Sequence, residues 1–111
     1  MINVLINRDG LEAEGHAGYA PYGQDIVCAG ITSLFNAFII SARQDIEALE
    51  VPGLTRIKIN NPTTATMAKY EMLVHGIQDF AEEYPEYVHI HANAFMALKE
   101  TIQSSIETIT R

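Results

Sequence analysis

Cys28 and His16 are the residues with the chemistry for covalent catalysis, and Asp25 lies close to both in the chain. A thiolate is a nucleophile, and a neighbouring imidazole can take its proton and later donate one to a leaving group. Cys28 falls three residues after Asp25, a residue type that caps helices by accepting hydrogen bonds from first-turn amides. The thiol then sits in the first helical turn, where unpaired amides and the helix dipole favour an anion, while the cap carboxylate opposes this in part. His16 precedes it in the stretch Gly15-His16-Ala17-Gly18-Tyr19-Ala20-Pro21-Tyr22-Gly23-Gln24, whose glycines and proline read as loop. Such a loop can fold back and bring imidazole and thiol together.

In an amide cleavage the thiolate attacks the carbonyl carbon, His16 protonates the departing amine, and water releases the acyl-enzyme. The oxyanion needs preorganised donors, and the first-turn amides, including that of Cys28, are the expected source. Asp25 either orients His16 or only caps the helix. Gly15, Gly18 and Gly23 let the loop open for a peptide, with Tyr19 and Tyr22 as candidate lining of an aromatic pocket. Each of these residue types also has a structural reading. A lone cysteine on an apolar helix is usually a small buried hydrophobe, loop glycines make turns, and an Asp before a helix caps it. His89 and His91 project from one face of a predicted strand, yet no acidic or cysteine ligand follows at a defined spacing, so no metal or other cofactor is expected. His75 falls on a helix surface.

The elements that must position these residues follow from periodicity. Ile2 to Ile6 alternates as a strand, turns at Asn7-Arg8-Asp9-Gly10, and returns over Leu11 to Glu14. From Asp25, apolar residues recur at helical spacing to Ala42 and occupy nearly all sides, which predicts a central buried helix. Leu54 to Asn60 alternates as a strand after Val51-Pro52-Gly53, with its polar side toward solvent. Asn61-Pro62-Thr63-Thr64 starts a second long helix that Pro85 ends. Tyr87 to His91 reads as a strand, and Phe95, Leu98, Ile102, Ile106 and Ile109 mark a terminal helix. The order predicts an α/β (α+β) fold: a small mixed or antiparallel sheet with an N-terminal hairpin, packed against two long helices, plus a C-terminal helix.

The chain has 111 residues, 48% of them hydrophobic and 19% charged, which fits one domain over residues 1–111. Its one cysteine excludes an intramolecular disulfide and a multi-thiolate zinc site, and a free thiol points to a reducing cytoplasm. A formal charge of −7 with scattered basic residues argues against direct nucleic-acid binding and favours a basic protein partner. The longest apolar stretch, around Ile31 to Ala42, is broken by Thr32, Ser33, Asn36 and Ser41 and is too short and polar to span a membrane. The N-terminus lacks a signal peptide's cationic start and apolar block.

Two segments together, Gly15-His16-Ala17 and Tyr22-Gly23-Gln24-Asp25-Ile26-Val27-Cys28-Ala29-Gly30-Ile31-Thr32, resemble the ribosomal-processing cysteine protease (Prp) family of bacteria. The likeness is densest over residues 15–32 and extends to about residue 91. It implies a homodimeric α/β protease that removes the N-terminal extension of a large-subunit ribosomal protein, cutting after an aromatic pair. It also implies catalytic roles for His16 and Cys28, with Asp25 and Thr32 at the family's nearby Asp and Ser/Thr positions. The opening hairpin is shorter than the family pattern, and the terminal helix from about Ala94 extends beyond it. The competing functions are a non-enzymatic dimeric module that binds a ribosomal protein or assembly factor, with Cys28 inert, and a redox-sensing thiol protein that pairs between molecules.

Overall fold

Ile2, Val4 and Ile6 alternate with Asn3 and Leu5, and a strand sends such a pattern to opposite faces. In the computed structural model, which describes residues 1–91, this segment is strand β1 (Ile2–Asn7), with the three aliphatic residues buried. The expected terminal helix therefore lies outside the described residues. β1 turns through Arg8 and Asp9 onto β2 (Gly10–Glu14), with Asn7 opposite Gly10 and Val4 opposite Ala13.

Helix α1 (Ile26–Ser41) follows the loop that holds His16 and buries Val27, Ile31, Phe35 and Phe38 on one side. It is not buried all round as its composition predicts: Ile26 and Ile40 remain 57% and 65% exposed. Sheet and second helix cover only part of its circumference, and the start of its remaining face borders a groove. A short 3-10 turn (Arg43–Asp45) leads into β3 (Ile46–Val51), which hairpins through Pro52 and Gly53 onto β4 (Leu54–Ile59). The pattern of Ile46–Val51 does not announce a strand, because five of its six side chains are exposed; pairing with β4 makes it one. β4 behaves as its alternation predicts, burying Thr55, Ile57 and Ile59 and exposing Arg56 and Lys58.

Helix α2 (Thr64–Glu83) is capped by the Thr63 hydroxyl, which accepts the Thr66 amide at 3.2 Å. β5 (Val88–His91) then lies parallel to β1, with Ile2 opposite Val88. The five-stranded sheet runs β3-β4-β2-β1-β5, with every pairing but the last antiparallel. Apolar side chains of β1, β2, β4 and β5 meet those of both helices in one core. On α2, Asp45 accepts the Thr66 and Thr63 hydroxyls and the Asn61 amide, which joins the approach to β3 with the helix start.

Tyr70, 1% exposed, ties α2 to the opening hairpin. Its hydroxyl donates to the carbonyl oxygens of Asn7 at 2.8 Å and Gly10 at 2.6 Å. Burial, and secondarily the charge of Asp9, raise its pKa far above the phenol range, so the folded state requires the neutral form. Tyr70→Phe is expected to lower unfolding free energy by about 0.5–1.5 kcal/mol by removing the hydroxyl that the Asn7 and Gly10 carbonyls share, measured by urea titration. Because the folded pKa is raised, the wild-type advantage is complete below about pH 10, the ordinary tyrosine value, and declines above it.

Candidate active site

Asp25 has extended backbone (φ −83°, ψ 98°) and caps α1, as its position before an apolar run predicts. Its carboxylate reaches further than a cap. Oδ1 accepts the amides of Val27 at 3.0 Å and Cys28 at 2.9 Å, while Oδ2 accepts those of Tyr19 at 3.0 Å and Ala20 at 3.5 Å. One side chain thus binds the helix start to the loop. Partial burial pushes its pKa up, but the hydrogen bonds from Cys28, Ala20, Tyr19 and Val27 together outweigh this and hold the carboxyl below its ordinary range. Both oxygens are engaged by backbone amides, and among the described residues no hydrogen bond joins Asp25 to His16.

The clamp brings the loop over Cys28. The thiol is partly buried, and Sγ accepts the Ala17 amide at 3.4 Å. Ala17 itself is 2% exposed, its methyl inserted in the core. The expected oxyanion donors, by contrast, are taken: the Val27 and Cys28 amides point at Asp25 Oδ1, and the Ala29 amide donates to the Asp25 carbonyl at 3.0 Å.

His16 is exposed and held through its backbone. The Met1 nitrogen donates to its carbonyl at 2.6 Å, and the preceding Gly15 amide donates to the Gly53 carbonyl at 2.9 Å. Gly15 has φ +97°, and a β-carbon there would overlap the Met1 carbonyl oxygen, so only glycine fits this approach. The imidazole stands over the turn between β3 and β4: a β-carbon on Gly53, whose φ is +78°, would lie 3.2 Å from Nε2. No sequence signal linked this turn to the histidine.

His16 and Cys28 both line one groove of about 1140 Å³. Ile26, Ala29, Thr32 and Asn36 of α1 form one wall, and Glu50 to Thr55 of the β3–β4 hairpin form the other. The Asn36 side-chain amide, oriented to donate, reaches the Glu50 carboxylate at 2.9 and 3.0 Å and ties the walls together. Among the described residues no hydrogen bond joins His16 to Cys28; they face a shared space. Thr32 stands one helical turn beyond Cys28 on the groove wall. Gly18, Tyr22 and Gly23 border the groove, with Tyr22 wholly exposed. Tyr19 does not line it as expected. Its ring packs edge-on against Tyr84 and Tyr87, at centroid distances of 5.7 and 5.3 Å, because the Asp25 clamp carries the loop toward the end of α2.

His89 and His91 stack edge to face on the exposed side of β5, and His91 Nε2 lies 3.3 Å from the Asn3 side-chain oxygen. Among the described residues no group of three or more His, Cys, Asp or Glu is placed to hold a metal. No helix among them is long and apolar enough to cross a membrane.

Known proteins share this fold and sequence pattern. The family model described as Cysteine protease Prp matches residues 1–89. The ribosomal processing cysteine protease Prp of Mycoplasma genitalium is 29% identical over 99 residues, covering 86% of this chain and 99% of its own. That of Staphylococcus aureus (strain Mu50) is 31% identical over 102 residues, covering 81% and 95%. Among solved structures, the essential ribosomal processing protease Prp from S. aureus, in complex with a covalently linked product peptide, superimposes with a TM-score of 0.73 at 18% identity, over 83% of this chain and 97% of that one. The sheet and helices are thus those of a known protease fold, and the matched region contains His16, Asp25 and Cys28. The chain belongs to the Prp family of ribosomal-processing cysteine proteases.

Proposed function

We propose that this protease removes the N-terminal extension of a bacterial large-subunit ribosomal protein precursor, cutting after an aromatic pair, with Cys28 as nucleophile and His16 as general acid and base. The observation that carries the reading is the opening of both side chains onto one groove, with a backbone amide already aimed at the sulfur. The Cys28 thiolate attacks the scissile carbonyl carbon, a C–S bond forms, and the carbonyl electron pair moves onto oxygen. The intermediate collapses, the C–N bond breaks, and protonated His16 gives its proton to the leaving amine. Water then loses a proton to His16 and adds to the thioester, and the C–S bond breaks to release the acid and restore the thiolate beside protonated His16.

A peptide occupant is supported by the S. aureus relatives, whose structures hold a substrate peptide and a covalently linked product peptide. The basic character of ribosomal proteins suits a chain of charge −7 whose groove carries the carboxylates of Asp25 and Glu50 and no Lys or Arg. Such complementarity speeds encounter at low salt. The homodimer in this reading comes from the family resemblance, and the cytoplasmic setting from the free thiol.

The deciding experiment is mass spectrometry of an extended ribosomal-protein precursor incubated with wild-type protein or Cys28→Ala. A single cut by the wild type, slowed on the order of 10⁴- to 10⁶-fold in the variant, is the expected result. If neither protein cuts, and Cys28 alkylates only on unfolding, the chain is an inert binding module.

The surroundings of His16 make a second prediction. Gly53→Ala strains a positive φ and places a methyl against the imidazole, so cleavage should slow while stability falls by about 1 kcal/mol; steady-state kinetics beside thermal unfolding separate the two. Asp25→Asn replaces an acceptor oxygen by a donor facing amides, and should cost about 0.5–2 kcal/mol. Since the folded pKa of Asp25 is depressed, the stabilisation it confers is present above about pH 4 and is lost as pH falls through the folded value. The acid-unfolding curve of the variant should lack that component.

A further inference from the structure

Cleavage by Cys28 requires donors for an oxyanion, and the start of α1 has little left to give. Val27, Cys28 and Ala29 already donate to Asp25. Of the first-turn amides only that of Ile26 has no acceptor among the described residues. The loop supplies another amide, because Ala17 N–H points at Cys28 Sγ across 3.4 Å.

We propose that the backbone N–H of Ala17 is a donor of the oxyanion hole, an inference that rests on Cys28 being the nucleophile. In the resting protein this N–H engages sulfur. Once sulfur bonds to the scissile carbon, negative charge leaves it for the carbonyl oxygen, one atom further on. A donor aimed at the sulfur is then within reach of that oxygen, which needs N–H groups at about 2.7–3.1 Å.

The peptide unit that carries the donor is fixed from several sides. It is trans, so the His16 carbonyl and the Ala17 N–H point in opposite directions. The carbonyl is held by the Met1 nitrogen at 2.6 Å, and the Ala17 methyl is locked in the core. Gly15 is tied to Gly53 before it, and Tyr19 and Ala20 are tied to Asp25 after it. A donor immobilised in this way needs no reorganisation when charge develops, which is the condition for a large catalytic effect. Asp25 is a positioning residue in this scheme: it engages the helix amides and holds the loop that offers a replacement. Adjacent residues then divide the work, His16 moving protons and Ala17 stabilising charge.

The single cysteine makes a direct test possible. A synthetic thioester of residues 1–27 ligated to residues 28–111 regenerates the native chain at Cys28, and lactic acid in place of Ala17 converts the 16–17 amide to an ester that lacks the N–H donor and leaves the His16 carbonyl a weaker acceptor for Met1, an effect that the alkylation rate reads separately. Ester and all-amide proteins are compared in two reactions: hydrolysis of the precursor peptide, which passes through an oxyanion, and alkylation of Cys28 by iodoacetamide, which does not. The expected result is a fall in kcat for hydrolysis on the order of 10²–10³-fold with a much smaller change in alkylation. Unchanged hydrolysis, or equal falls in both reactions, overturns the proposal, the latter because the amide then serves the sulfur alone. An all-amide protein that alkylates but does not hydrolyse the peptide overturns the proposed function itself. If the ester protein does not fold, the native chain labelled with ¹⁵N is titrated with a peptide aldehyde, which adds the thiol to form a tetrahedral adduct. Downfield movement and slowed exchange of the Ala17 amide proton support the proposal; movement confined to Ile26 overturns it.

Discussion

The carboxylate of Asp25 joins the start of a helix to the loop that precedes it. A helix start has free amides, and so does a loop of small residues, and each set would otherwise seek water. A carboxylate has two oxygens with room for several donors, whereas the Ser, Thr or Asn that also cap helices present a single oxygen. Only Asp at this position can satisfy Val27 and Cys28 with one oxygen and Tyr19 and Ala20 with the other. Because hydrogen bonds to a charged acceptor are stronger than neutral ones, the clamp also keeps the carboxyl ionised at working pH. The Tyr19–Ala20 part of the loop is held over the helix start by this one group, while Met1 and Gly53 hold the part around His16.

The groove is likewise a product of contacts at a distance. α1 is held against the sheet by Val27, Ile31, Phe35 and Phe38, and that burial turns Ala29, Thr32 and Asn36 toward the groove. The facing wall is an edge strand and its turn, anchored by its pairing with β4, by Ile46 against the core and by Glu50 on Asn36. Gly53 meets the histidine because its carbonyl accepts the Gly15 amide, so the hairpin turn and the His16 loop form one unit. His16 is therefore tied to the sheet's hairpin turn and Cys28 to the helix, and the groove lies between them.

Much of this was legible in the residues and some was not, for physical reasons. Strands such as β1 and β4 carry a period of two because one face is buried, and α2 carries a helical period for the same reason. β3 buries almost nothing, so selection for burial left no pattern in Ile46–Val51, and only its partner defines it. α1 misled in the opposite way: Ile26 and Ile40 made it read as enclosed when they are exposed. The cap at Asp25 was visible because capping is local. Its second oxygen was not, since a bond to Tyr19 and Ala20 depends on how a loop folds. Tyr19 likewise had no local reason to leave the groove for Tyr84 and Tyr87.

A cysteine at a helix start is ordinarily thought to gain its anion stabilisation from the helix, through free amides and the dipole. Here the helix end already faces a carboxylate, whose charge opposes any gain from the dipole at the same place. What remains for the sulfur lies on the loop: the Ala17 amide in contact, and the His16 imidazole across the groove. Both belong to one stretch that is held by Asp25, by Gly53 and by the N-terminal residue rather than by its own secondary structure. Displacement of that stretch would carry the His16 imidazole and the Ala17 amide away from the sulfur in the same movement. The surroundings of Cys28 are therefore a property of the loop as Asp25, Gly53 and Met1 fix it, and not of the helix end alone.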